Sequence, residues 1–184
     1  MKIVVIAAAL TWPALLPGQA IAPVPLKHAE VTFAMRATKV NDFVGRVDTV
    51  QAHFAGSDLA NVTGVVEFRV RDMHTGIGLR DTHMRNALRA DSFPTIRFEL
   101  VGVDPGTVSH DSLPTVFQGH LTIHGVTRTV RVPGTLVLHQ GSVEAHASFP
   151  LDMREYGIDP PTRFLGAVKV DPVTTIGIHL VFGP

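Results

Sequence analysis

Ten histidines and no cysteine in 184 residues make imidazole the first chemistry to test. The best-spaced pair is His120 and His124. On a helix, residues four apart could share one metal ion, but Leu121, Ile123 and Gly125 give this segment a strand's alternation. Strand positions four apart lie ~13 Å from one another. That is far beyond a single ion with nitrogen bonds of ~2.0–2.1 Å. No metal site is predicted from them. His83 stands in a denser group with Arg80, Asp81 and Arg85. That group reads as a capping and hydrogen-bonding scaffold, or as contacts for a polar headgroup. Gly56-Ser57-Asp58 lacks the strand–Gly-x-Ser-x-Gly–helix setting that exposes a nucleophile. Gly76-Ile77-Gly78 is too short for a phosphate loop, and the carboxylates are scattered. Neither a catalytic residue nor a cofactor is predicted.

Elements able to position such groups follow from pattern and balance. Lys plus Arg equals Asp plus Glu, 16 each, so no net field favours nucleic acid or an anionic membrane. Residues 1–20 read as a signal peptide: Lys2, the apolar run Ile3 to Leu10, and a small-residue end at Gly18-Gln19-Ala20. Pro13 and Pro17 break this stretch, which is shorter than the ~20 apolar residues that span a bilayer. A cut after Ala22 would leave Pro23 at the new terminus, so Ala20 is favoured. Residues 21–184 then form one domain of a periplasmic or secreted protein without stable membrane insertion, and a homodimer is left open.

Within that domain the period is two. Val31, Phe33 and Met35 make a first strand, after a lead-in at 21–27. One or two strands lie between Val40 and Ala60. Val66, Phe68 and Val70 face one way, opposite Glu67, Arg69 and Arg71. Met84, Ala87 and Leu88 then share a helical face, with Asp81 able to cap the start. Pro94 ends the helical segment, and Ile96, Phe98 and Leu100 resume the alternation. Asp104-Pro105-Gly106 reads as a turn and 106–114 as a loop. Phe117, Leu121 and Ile123 pair through a Gly125 hairpin with 127–132. Pro133-Gly134 reads as another turn. Val143, Ala145, Ala147, Phe149 and Leu151 share one side, and Ile176, Ile178, Leu180 and Phe182 close the chain. Roughly eight or nine strands without a βαβ rhythm mean an antiparallel sandwich or barrel. Clean one-face alternation favours the barrel. Ala145 and Ala147 either leave room inside it or sit opposite bulky partners.

These segments resemble the YceI family of exported, lipocalin-like proteins. One mark runs Arg80-Asp81-Thr82-His83-Met84-Arg85 and then Phe93-Pro94-Thr95-Ile96-Arg97-Phe98. A second is Gly119-His120-Leu121-Thr122-Ile123-His124-Gly125-Val126-Thr127, and a third Arg154-Glu155-Tyr156-Gly157-Ile158. Thr75 and His28-Ala29 also fit. The marks span most of residues 28–182. The chain departs from the pattern in lacking the opening Trp or Tyr strand of many members and in reading Gly45-Arg46-Val47 where many have Gly-x-Phe. The resemblance implies an all-β antiparallel barrel of about eight strands with one short helical insert, enclosing an apolar cavity. It further implies binding of an isoprenoid, an isoprenoid quinone or a fatty-acid-like amphiphile, and it carries no catalytic residue.

The expected cavity lining is Phe33, Met35, Phe68, Val70, Phe98, Leu121, Ile123, Phe149, Ile178 and Leu180. Arg80, His83 and Arg85 are expected near its opening as headgroup contacts. The expected partner is a long-chain apolar small molecule held by burial, in a carrier that is not an enzyme. The alternative is a filled barrel that works through its outer surface, as a stress-related or partner-binding protein. Whether the helical segment is a lid or a plug turns on the cavity.

Overall fold

Alternating apolar and polar residues dictate extended segments with one dry and one wet face. A computed structural model describes residues 25–183 apart from 39–40, 57–58, 60, 161 and 164–167. The expected signal peptide lies outside the described residues. The strands run β1 (Leu26–Met35), β2 (Phe43–Val47), β3 (Gln51–Ala55), β4 (Thr63–Arg69), β5 (Met73–His74) and β6 (Thr95–Pro105). They continue as β7 (Ser112–Ile123), β8 (Val126–His139), β9 (Ser142–Asp152), β10 (Thr162–Arg163), β11 (Val168–Lys169) and β12 (Val173–Phe182). One α-helix, α1 (Gly78–Ala87), lies between β5 and β6.

Ten strands form one antiparallel sheet in the order β3-β4-β6-β7-β8-β9-β12-β1-β2-β5, and β10 pairs with β11 alone. The expected all-β barrel with one helical insert is present, with ten strands in its sheet rather than about eight. The stretch between Val40 and Ala60, where one or two strands are expected, holds two, β2 and β3, and the short β5 is additional. The sheet curls without closing into a hydrogen-bonded ring. Among the described residues no ladder joins its edge strands β3 and β5. Side chains meet across the seam instead: Phe54 on β3 packs edge-on against Phe182 on β12, ring centroids 5.0 Å apart. Register shifts beside Lys27 and Val101 mark β-bulges, which bend a sheet and strengthen its twist.

Two expected turns and one expected strand residue are placed differently. Pro133 and Gly134 lie inside β8, opposite Val116 and Thr115 of β7. Gly134 is there for close approach, because a Cβ would strike the Phe117 ring and the carbonyl of His146. Asp104 and Pro105 end β6 in paired positions, and β7 is already under way at Ser112. Val70 is not a strand residue. It opens a 3-10 turn, Val70–Asp72, where its N–H donates to the Pro94 carbonyl at 2.9 Å.

Asp81 does not cap α1 either. Ile77 holds the N-cap position without a side-chain bond, and Asp81 is the helix's fourth residue. Its buried carboxylate accepts the Thr75 N–H at 2.7 Å and the Thr75 hydroxyl at 2.6 Å. The helix is thus fastened back onto the chain that enters it. Leu88 is buried, and Met84, Ala87 and Ala90 pack against the same apolar cluster, which includes Val70, Met73, Ile96, Ile123 and Leu151. A second apolar cluster holds Ala52, Val66, Leu180 and Phe182.

Candidate ligand cavity

Inward faces of all ten sheet strands border one cavity of about 280 Å³. Its wall is apolar but for Thr32 and His146. The room inside comes from paired phenylalanines and glycines. Phe33 faces Gly45 and Phe54 faces Gly64 in direct register. Phe98 covers Gly119, and Phe117 covers Gly134, on neighbouring strands. A Cβ at any of these glycines would collide with the ring, so each ring lies back against the sheet. Large side chains that would otherwise fill the lumen become its wallpaper. Ala145 and Ala147 also line the cavity, Ala145 between Leu136 and Leu180 in the register.

Eight of the ten expected lining residues border this space: Phe33, Phe68, Phe98, Leu121, Ile123, Phe149, Ile178 and Leu180. Met35 and Val70 do not. Met35 packs against the cluster beneath α1, and Val70 is 1% exposed within it. Phe54, Val62, Val103, Phe117, Leu136 and Phe182 border the cavity without having been expected there. Most carry the same period-two signal as their neighbours; Phe54 was hidden in the irregular stretch before Gly64.

No residue of α1 borders the cavity. The helix packs on a cluster that includes Met73, Ile96, Ile123 and Leu151, and those four form part of the cavity wall. It therefore stands one layer behind that wall, as a plug. Arg80 lays its guanidinium 3.9 Å over the Phe43 ring. Arg85 donates to the Arg71 carbonyl at 3.3 Å, and His83 is half-buried. None of the three reaches the lumen. Burial works to raise the Asp81 pKa. Side-chain and backbone hydrogen bonds from Thr75, with His74 and Arg85 nearby, outweigh it and hold the carboxyl below its ordinary value.

The sequence marks converge on the packed side of the barrel. Phe93 sets its ring edge-on to His124 at 4.9 Å and covers Gly125. His124 and Gly125 form the β7–β8 turn with φ of 53° and 76°, a geometry open to glycine and tolerated by His. His124 Nδ1 donates to the Tyr156 carbonyl at 3.1 Å, and Arg128 Nε to the Glu155 carbonyl at 2.6 Å. Tyr156, Ile158 and Met153 are buried in the cluster that α1 covers. Phe93, the His124-Gly125 turn and the 154–158 segment thus interlock around one knot. His120 Nδ1 meets Thr129 Oγ1 at 3.3 Å, away from the partners of His124.

A model of the YceI-like domain matches residues 23–182. The chain belongs to the YceI-like family. Solved structures agree on the fold. This YceI-like chain superposes on Burkholderia cenocepacia BcnA with a TM-score of 0.71 at 17% identity, covering 86% of this chain and 98% of that one. It superposes on a polyisoprenoid-binding domain from Saccharophagus degradans at 0.69 and 12% identity, covering 88% and 97%. A Campylobacter jejuni YceI protein gives 0.64 at 12% identity, covering 79% and 87%. Among curated proteins, no sequence relative reaches significance. No helix among the described residues is long and apolar enough to cross a membrane.

Proposed function

We propose that this YceI-like protein holds one long-chain apolar molecule, of isoprenoid or fatty-acyl type, inside its barrel and carries or sequesters it without a chemical step. The apolar cavity bordered by all ten sheet strands is the observation that carries this reading. The shared fold of a polyisoprenoid-binding domain supports it. At about 280 Å³ the space lies just under the ~300–1,000 Å³ of ordinary ligand pockets. It suits a slender chain better than a ring system. Burial contributes about 0.8 kcal/mol per CH₂, so a ten-carbon stretch supplies on the order of 8 kcal/mol before the costs of binding. A specific headgroup contact is then unnecessary. Export follows from the signal segment at 1–20, which would place the carrier in the periplasm or outside the cell.

Extraction of protein purified from its own exported fraction, followed by mass spectrometry, tests this. The expected result is a long-chain apolar species near one per protein, on a mature chain that begins at Ile21. Absence of any such species, together with no uptake of a fluorescent acyl or prenyl probe, would overturn the carrier reading in favour of a barrel working through its outer surface.

A further inference from the structure

The outer face of the barrel carries a second feature, which shares with the lumen only His146. Strands β9, β12 and β1 are neighbours, and His146, His179 and Glu30 stand in one cross-strand row. Glu144, two residues before His146, shares its outward face. Glu144 Oε2 lies 3.2 Å from His146 Nε2 and 3.2 Å from His179 Nε2. The two imidazoles are stacked, 4.3 Å between centroids and 13° from parallel. Both therefore present Nε2 to the same carboxylate oxygen. His139 Nε2 holds the other oxygen, Oε1, at 3.0 Å.

We propose that Glu144, His146 and His179 form a binding site for a divalent transition-metal ion, zinc above all. Around a tetrahedral zinc with bonds of ~2.0–2.1 Å, adjacent donor atoms stand about 3.3 Å apart. The two carboxylate–imidazole separations already have nearly that length, and all three donor atoms lie within 4.8 Å of one another. Two imidazoles and a carboxylate, with no thiolate in the chain, select zinc, copper(II) or nickel over magnesium or calcium. His139 orients the liganding carboxylate, as an outer partner does in such sites. The side chains are between a quarter and a half exposed, so the ion has an entry path and a fourth position open to water. His28 and Glu30 meet His179 from the β1 side as a second set, which makes His179 the hub of both.

The test uses the untagged, chelator-stripped protein titrated with zinc alone against a chromophoric chelator. One equivalent should bind. His179→Ala and His146→Ala should each weaken it at least ~10-fold, and Glu144→Gln should weaken it as well. His120→Ala, an outward histidine on β7, should leave it unchanged. These surface variants can be checked for folding by circular dichroism. Imidazole NMR of the unaltered protein gives an independent reading, in which zinc should move the His146 and His179 ring signals together. Absence of saturable binding, a His179→Ala variant that binds like the parent, or zinc shifts at His28 in place of His146 would overturn the site.

Discussion

The phenyl ring of Phe33 on β1 lies over Gly45 of β2, its register partner, where a Cβ would collide with the ring. Phe33 is buried yet borders the cavity, so the glycine lets a bulky residue become wall instead of filling. Gly45→Ala should push the ring into the lumen. Overpacking of this kind costs about 1–3 kcal/mol, expected as a lower urea midpoint with weaker probe uptake. Pairing it with Phe33→Leu should recover part of both losses in a double-mutant cycle. Additive losses would show that ring and glycine do not act as a unit.

Ala145 offers the opposite manipulation. It sits between Leu136 and Leu180 in the register and faces the cavity. Ala145→Phe should abolish uptake of an acyl or prenyl probe while the near-native circular dichroism spectrum survives. Undiminished uptake would mean that the chain binds elsewhere.

The position of α1 behind the cavity wall separates a plug from a lid. Leu88, 9% exposed, anchors the segment in the core. Leu88→Ala should cost about 2–5 kcal/mol, the range for a buried Leu cut to Ala. Probe release from the folded fraction should keep its rate. Release accelerated tenfold or more in stopped-flow would make the segment a gate.

Asp81 predicts a pH dependence. Its folded pKa lies below the ordinary carboxylate value, held there against burial by the Thr75 hydrogen bonds, with His74 and Arg85 facing it. The unfolded chain therefore takes up the proton first as pH falls. The stability Asp81 contributes is complete above ~4 and is lost below it, as pH drops through the folded value. Asp81→Asn should cost on the order of 1–3 kcal/mol at pH 7. The gap between the two proteins in denaturant midpoint should close under acid. A gap that stays constant from pH 7 to pH 3 would exclude the charge as its source.

Particular residues show where local pattern suffices. The faces of β9 and β12 were legible in full, because alternation from Val143 to Leu151 and from Ile176 to Phe182 admits one inward phase. Pro133-Gly134 misled, since a turn pair can lie inside a strand when a neighbouring ring needs the missing Cβ. Val70 misled because alternation continues past the last paired residue, Arg69, into the 3-10 turn. Arg80, His83 and Arg85 share a helix that chain order places beside the barrel, yet packing set it behind the wall.

The amino-acid order alone determined an antiparallel, one-face-apolar sheet, its single helical insert and the marks of its family. Those properties reside in near neighbours, since a period of two and a cap or turn are complete within a few residues. Tertiary structure alone decided the cavity and the outer histidines. The lumen depends on which phenylalanine meets which glycine across a ladder, as Phe98 meets Gly119. The cluster at Glu144 depends on His146 meeting His179, 33 residues on, and on β1 arriving from the far end of the chain beside β12. Along one strand, histidines four apart such as His120 and His124 are too far apart to share an ion. Across strands ~4.8 Å apart, residues far separated in sequence become neighbours, and the register of distant segments selects the pairs.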